Sequence, residues 1–182
     1  CASQQFIDDT KNVNNGSCML LGPTMDSLRS ASILKNLRTL HIRMKKHSEN
    51  AMFLAENFEK DGLKVKYPGL KSHKNHELMK SMMHEEYGFG GLLTIDVGTV
   101  EKANELMELM QQENLGYLAV SLGFYKTLFS CSGSSTSSEI PENEREAMGL
   151  SDGLIRFSIG LDHDIARTYE KMKECMVKTG VL

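Results

Sequence analysis

Between Leu37 and Phe58 the apolar residues Leu37, Leu40, Met44, Ala51, Leu54, Ala55 and Phe58 recur three, four and seven positions apart. That spacing predicts an amphipathic helix of about twenty residues, stopped at Asp61-Gly62. Such a helix must bury its stripe, so the segments that follow have to supply a surface for it. They read as strands and helices in turn. Leu63 to Tyr67 alternates apolar and polar residues and closes at Pro68-Gly69, as a half-buried strand does. A helix is expected over 75–84 and a second strand from Phe89 to Val97. Thr99 can cap a helix whose inward stripe is Ala103, Leu106, Met107 and Met110. Leu118 to Leu122 reads as a third, fully buried strand, and Leu154 to Ile159 as a fourth. Asp162 or Asp164 opens a last helix with Ile165, Tyr169, Met172 and Met176 inward. Before all this, Pro23-Thr24 and Asp26 announce a first helix, and residues 1–18 show no clear element. The order argues for one sheet covered by helices, an α/β (α+β) chain.

A chain of 182 residues is long enough to bury a core. The net charge of -3 gives no electrostatic case for nucleic acid or an anionic membrane. No apolar run approaches the roughly 20 residues that a bilayer helix needs, and the first residues lack the layout of a signal peptide. The four cysteines, Cys1, Cys18, Cys131 and Cys175, show no paired spacing, so reduced thiols and a cytoplasmic location are expected. The twelve methionines fall mostly at helical spacing and read as core filler.

Four features could carry chemistry. In Ser151-Asp152-Gly153-Leu154-Ile155-Arg156-Phe157-Ser158-Ile159-Gly160, the residues Leu154, Arg156 and Ser158 share one strand face. Ile155, Phe157 and Ile159 share the other. Arg156 therefore stands mid-strand on a rigid support, where a guanidinium fork can match a carboxylate. On spacing alone a structural salt bridge or a solvent-facing arginine is the reading to prefer. The run from Ser130 to Glu139 holds six serines and a threonine; it suits a loop lining a polar ligand, or a flexible linker. Gly88-Phe89-Gly90-Gly91 precedes a strand rather than following one, which favours close backbone packing over a phosphate cradle. His73, His76 and His84 have no accompanying acidic or cysteine cluster, so they read as surface or capping residues and not as metal ligands.

Taken together, the segments resemble the Cys/Met-metabolism family of pyridoxal-phosphate-dependent enzymes, which includes methionine gamma-lyases, cystathionine lyases and synthases, and homoserine sulfhydrylases. The resemblance runs in order through Leu21-Gly22-Pro23-Thr24, Leu40-His41-Ile42-Arg43-Met44, His47-Ser48-Glu49-Asn50-Ala51 and Tyr67-Pro68-Gly69-Leu70 with Ser72-His73. It continues through Gly88-Phe89-Gly90-Gly91, Ala119-Val120-Ser121-Leu122-Gly123, Ser135-Thr136-Ser137-Ser138, Glu144-Arg145 and Gly149 to Gly160. The segment from Cys131 to Ser138 is most similar to the methionine gamma-lyase branch.

The resemblance implies a small antiparallel sheet of about four strands covered by helices, as in the C-terminal domain of fold-type I pyridoxal phosphate enzymes. It implies that 1–40 is the tail of the cofactor-binding domain with a linking helix, and that 41–182 is the C-terminal, substrate-side domain. Family enzymes hold pyridoxal phosphate on a lysine in a Ser-x-Thr-Lys-like motif, and no lysine here stands in one. A carbon–sulfur lyase is therefore expected only with an N-terminal cofactor domain, in a homo-tetramer acting on a sulfur-containing amino acid. Alone, the chain is expected to be inactive, without bound cofactor and without catalytic or cofactor-binding residues. Carried over by position, Arg156 is the arginine gripping the substrate α-carboxylate. Ser121 and Leu122 belong to the segment beside the substrate, and Thr136 to the loop at the site's mouth. A different reaction within the family, an amino-acid-binding module without chemistry, and an oligomerisation domain are the alternatives.

Overall fold

A computed structural model describes residues 2–131, 140, 144 and 151–182. The chain divides into two compact units, Cys1–Leu40 and His41–Leu182.

The first unit holds three short helices: α1 (Gln4–Lys11), α2 (Ser17–Leu21) and α3 (Ser27–Leu37). α1 and α2 depart from the expectation of no element over residues 1–18. α1 has no apolar stripe. It rests on a Ser3 cap that accepts from Phe6 N and on the polar pairs Gln4–Asp8 and Gln5–Asp9. α3 begins where expected, with the Asp26 carboxylate accepting from Arg29 N. Among the described residues of this unit only Gly16 is buried, and Phe6, Leu21 and Leu28 stand open to solvent.

The second unit is built on α4 (Leu40–Lys60). Its stripe buries Ala51, Leu54, Ala55 and Phe58 completely. Gly62, at φ 89°, ends it, and Leu63 N turns back to Phe58 O, closing the carbonyls of the last turn. There follow β1 (Lys64–Lys66), α5 (His76–Met82), β2 (Leu92–Asp96), α6 (Val100–Gln112), β3 (Tyr117–Leu118), β4 (Leu128–Cys131), β5 (Leu154–Ser158) and α7 (Ile165–Lys178). α6 carries the expected stripe, Ala103, Leu106, Met107 and Met110, and Thr99 caps it.

The strands form one sheet in the order β1-β2-β5-β4-β3. All pairings are antiparallel except β3 with β4, which is parallel. One face presents Leu93, Ile95, Phe129, Cys131, Ile155 and Phe157, each at most 3% exposed. α4, α6 and α7 contribute to the same core, and Phe157 meets the rings of Phe58 and Phe129. Each such side chain contributes about 1.5–3 kcal/mol by leaving water. Asp61, just after α4, bonds both the Tyr169 hydroxyl and the Lys173 ammonium of α7, at 2.5 Å each.

The architecture is the mixed α/β one expected, with a fifth strand. The sequence reading expected a buried strand at Leu118–Leu122. The structure has two exposed residues of strand there, with Val120 and Leu122 about 60% exposed. The buried strand is β4, whose residues are buried on both faces and so show no alternation. Among the described residues no helix is long and apolar enough to cross a membrane.

Candidate functional site

The sheet's second face is polar where the first is apolar. Strand register puts Lys66, Thr94, Arg156 and Ser130 directly opposite one another in one row across β1, β2, β5 and β4. In the next rows stand Asp96 with Leu154, and Leu92, Ser158 and Leu128. Residues opposite in an antiparallel pair share a face, with Cβ atoms about 5 Å apart. Arg156 thus sits in the centre of the sheet, on the strand that both β2 and β4 hold in register.

The end of β5 is anchored from α4. His47 Nδ1 donates to Ile159 O at 2.6 Å, and Asn50 Nδ2 donates to Gly160 O at 3.0 Å and Asp162 O at 2.9 Å. Ser48 accepts from Phe89 N at 2.9 Å, holding the glycine-rich segment against the same helix. Gly88 lies at φ 64° against the Ser48 hydroxyl, where a Cβ would collide with it. Both features make Gly88-Phe89-Gly90-Gly91 a packing device. The run His47-Ser48-Glu49-Asn50-Ala51 is one too: its His, Ser and Asn are at most 5% exposed and face backbone. At the other end of β5, Gly153 presses on the Gly98-Thr99 backbone at 2.5 Å from its ideal Cβ position. Asp96 accepts there from Ser151 and Gly98 N.

Over the polar face runs the segment after β3. Arg156 Nη2 donates to Ser121 O at 3.0 Å, and Gly123 N donates to Ser158 Oγ at 3.0 Å. Ser121 therefore meets Arg156 through its carbonyl, not its hydroxyl. Ser121 and Leu122 are exposed. Arg156 is half-buried, makes no ion pair among the described residues, and keeps its Nε buried without a partner. The hydroxyls of Thr94 and Ser130 are buried as well and have no partner among the described residues. Thr136 lies outside the described residues.

The structure thus brings the Ser121 carbonyl to Arg156, with Leu122 next along the chain and exposed. Sequence reading missed Thr94 and Lys66 on the same row, and it set Ser130 at the start of a loop where the structure has it on strand β4. Each lies at an alternating strand position, but only the register shows that they are neighbours. The face offers a guanidinium without an ion pair among the described residues, together with hydroxyls, donors that suit an anion with a flat, two-oxygen head.

A cavity of about 770 Å³ lies elsewhere, lined in part by Met52, Glu56, Leu70, His76, Met83 and Phe89; it does not include Arg156. His76 is fixed there by a hydrogen bond with Pro68 O and by stacking on Phe89 at 5.1 Å. Among the described residues no group of three or more His, Cys, Asp or Glu side chains is placed to hold a metal ion.

Residues 3–168 match the profile of the Cys/Met metabolism PLP-dependent enzymes. Over 179 residues, 98% of this chain and 41% of the other, the chain is 42% identical to a methionine gamma-lyase of Arabidopsis thaliana. It is 38% identical over 135 residues, 73% of this chain and 34% of the other, to a cystathionine beta-lyase of Coxiella burnetii. The crystal structure of cystathionine gamma-lyase from yeast superposes with a TM-score of 0.72 at 30% identity, covering 80% of this chain and 37% of that one.

Proposed function

The chain belongs to the Cys/Met metabolism family of pyridoxal-phosphate-dependent enzymes, and we propose that it is the carboxylate-binding, C-terminal part of a carbon–sulfur lyase acting on L-methionine. The chain spans about two fifths of the length of the methionine gamma-lyase it matches. In this reading 1–40 closes the cofactor domain and 41–182 is the substrate-side domain. The complete protein is a cytoplasmic homo-tetramer that releases 2-oxobutanoate, methanethiol and ammonia.

The observation that carries the reading is Arg156. A guanidinium stands on the central strand, held by Ser121 O and unpaired with any acid among the described residues. A half-buried guanidinium with no acid beside it among the described residues is suited to an anion arriving from outside. In this reading Ser121 and Leu122 flank that anion, and Thr136, which lies outside the described residues, is a substrate-side residue by resemblance alone.

The same donor set does not by itself fit pyridoxal phosphate. It offers no amine for an imine beside Arg156; the lysine on the row, Lys66, stands on the exposed edge strand with β2 between. Arg156 therefore binds and orients the substrate, while the cofactor's chemistry belongs to the other domain. Relatives with cystathionine lyase names make cystathionine the second substrate to test.

The test is Arg156→Lys in the complete protein. A lost charge-assisted fork is worth roughly 1.5–3 kcal/mol, so KM for methionine should rise about ten- to a hundredfold. An unchanged KM rejects the carboxylate role. Added to this chain alone, pyridoxal phosphate should give no stoichiometric imine absorbance; an imine at one lysine would contradict the division of labour.

A further inference from the structure

Arg156 is the centre of a row, not a lone cation. Thr94 on β2 and Ser130 on β4 are its direct cross-strand partners, one on each side. Three atoms of this row are buried and lack a hydrogen bond among the described residues: Thr94 Oγ1, Arg156 Nε and Ser130 Oγ. Nε can only donate, and each hydroxyl can both donate and accept. A buried donor beside two buried hydroxyls is costly if all stay apart, and the cost falls if one buried water accepts from Nε and donates to the two hydroxyls.

From this we infer that Thr94 and Ser130 are positioning residues for the Arg156 guanidinium. Through that water they hold Nε from within the sheet face, while Ser121 O holds Nη2 directly. With Nε and one Nη2 hydrogen engaged, the free donors lie at the far end of the group. That end-on pair, Nη1 with Nη2, is the edge that meets a carboxylate with two parallel bonds. Lys66, next along the row, adds positive charge on the exposed side of Thr94. Leu154 on the same face is apolar and cannot substitute for either hydroxyl.

This inference rests on the carboxylate reading of Arg156. Its test uses the complete, cofactor-loaded protein and two ligands: L-norleucine, which has a carboxylate but no thiol to release, and pentylamine, the same ligand without the carboxylate. Binding is read by calorimetry. Thr94→Val and Ser130→Ala should each weaken norleucine roughly three- to tenfold and leave pentylamine within twofold. Thr94→Ser and Ser130→Thr, which keep the hydroxyl, should restore norleucine binding. Equal weakening of both ligands would overturn the inference, because that is general damage to the fold. So would unchanged norleucine binding, or a Thr94→Ser protein that behaves like Thr94→Val. Arg156→Lys, measured alongside, separates the two levels. If it weakens norleucine while the hydroxyl variants do not, only the positioning role fails. If it too leaves norleucine untouched, the carboxylate reading fails with it.

Discussion

Asn50 ties the helix α4 to the end of the arginine-bearing strand, and removing that tie should be felt both in stability and at Arg156. The side chain is 1% exposed and its amide nitrogen donates to Gly160 O and Asp162 O. Its oxygen has no partner among the described residues, so losing that atom breaks no hydrogen bond there. Asn50→Ala removes two bonds of about 0.5–1.5 kcal/mol each and leaves two carbonyls without their donor. The sum is roughly 1–3 kcal/mol. For a domain of this size that is a fall in Tm of about 3–10 °C, read by circular dichroism on the 182-residue chain. Asn50→Asp is the sharper variant. At neutral pH it sets a carboxylate against the two carbonyl oxygens, so it should be less stable than Asn50→Ala. Below the ordinary carboxylate range the protonated acid can donate one bond again, and the order should reverse. A shift under about 1 °C for Asn50→Ala, or an Asp variant no worse than the Ala variant at pH 7, would refute the clamp.

Asp61→Asn should lower Tm at neutral pH by severing the links to Tyr169 and Lys173. Burial pushes the Asp61 carboxyl upward, but the bonds from Lys173 and Tyr169 outweigh it and hold the group below its ordinary 3.8. Its contribution is therefore complete above pH 3.8 and fades as the pH falls through the lower folded value, so the native and variant melting curves should converge in acid. A gap that stays constant from pH 7 to pH 2 would contradict this. Gly153→Ala places a methyl group on the Gly98-Thr99 backbone, which cannot rotate away as a side chain could. A loss of about 1–3 kcal/mol in urea unfolding is expected, and a neutral effect would show that the β5 entrance is looser than the contact implies.

What the sequence disclosed depended on whether a pattern was local. The α6 stripe, the Thr99 and Asp26 caps and the alternation that puts Arg156 opposite Phe157 are set by helix and strand periods, and they were legible residue by residue. β4 was not, because Leu128 to Cys131 is buried on both sides and runs straight into a serine-rich stretch. The apolar run after Tyr117 misled for the opposite reason: Val120 and Leu122 are hydrophobic yet exposed, and hydrophobicity alone does not say what covers a residue. At the site, strand alternation set the face that Arg156 occupies but left a structural salt bridge or a solvent-facing side chain open for it. Its neighbours Thr94 and Ser130 come from segments 62 residues upstream and 26 upstream of it (156 − 94 and 156 − 130), and only the register joins them. The family resemblance supplied the arginine's role as an expectation, with no indication of what holds its inner edge.

The parallel pairing of β3 with β4 has a geometric consequence of its own. Neighbouring strands that point the same way ordinarily require a helical crossover of a dozen or more residues. Here residues 119–127 make the return trip with no helix at all. The shortcut leads across the hydroxyl-bearing surface, where Ser121 and Gly123 touch down on β5. The link is a gauge: one residue added or deleted between Leu118 and Leu128 would slide the carbonyl off the guanidinium without altering a single residue of the sheet.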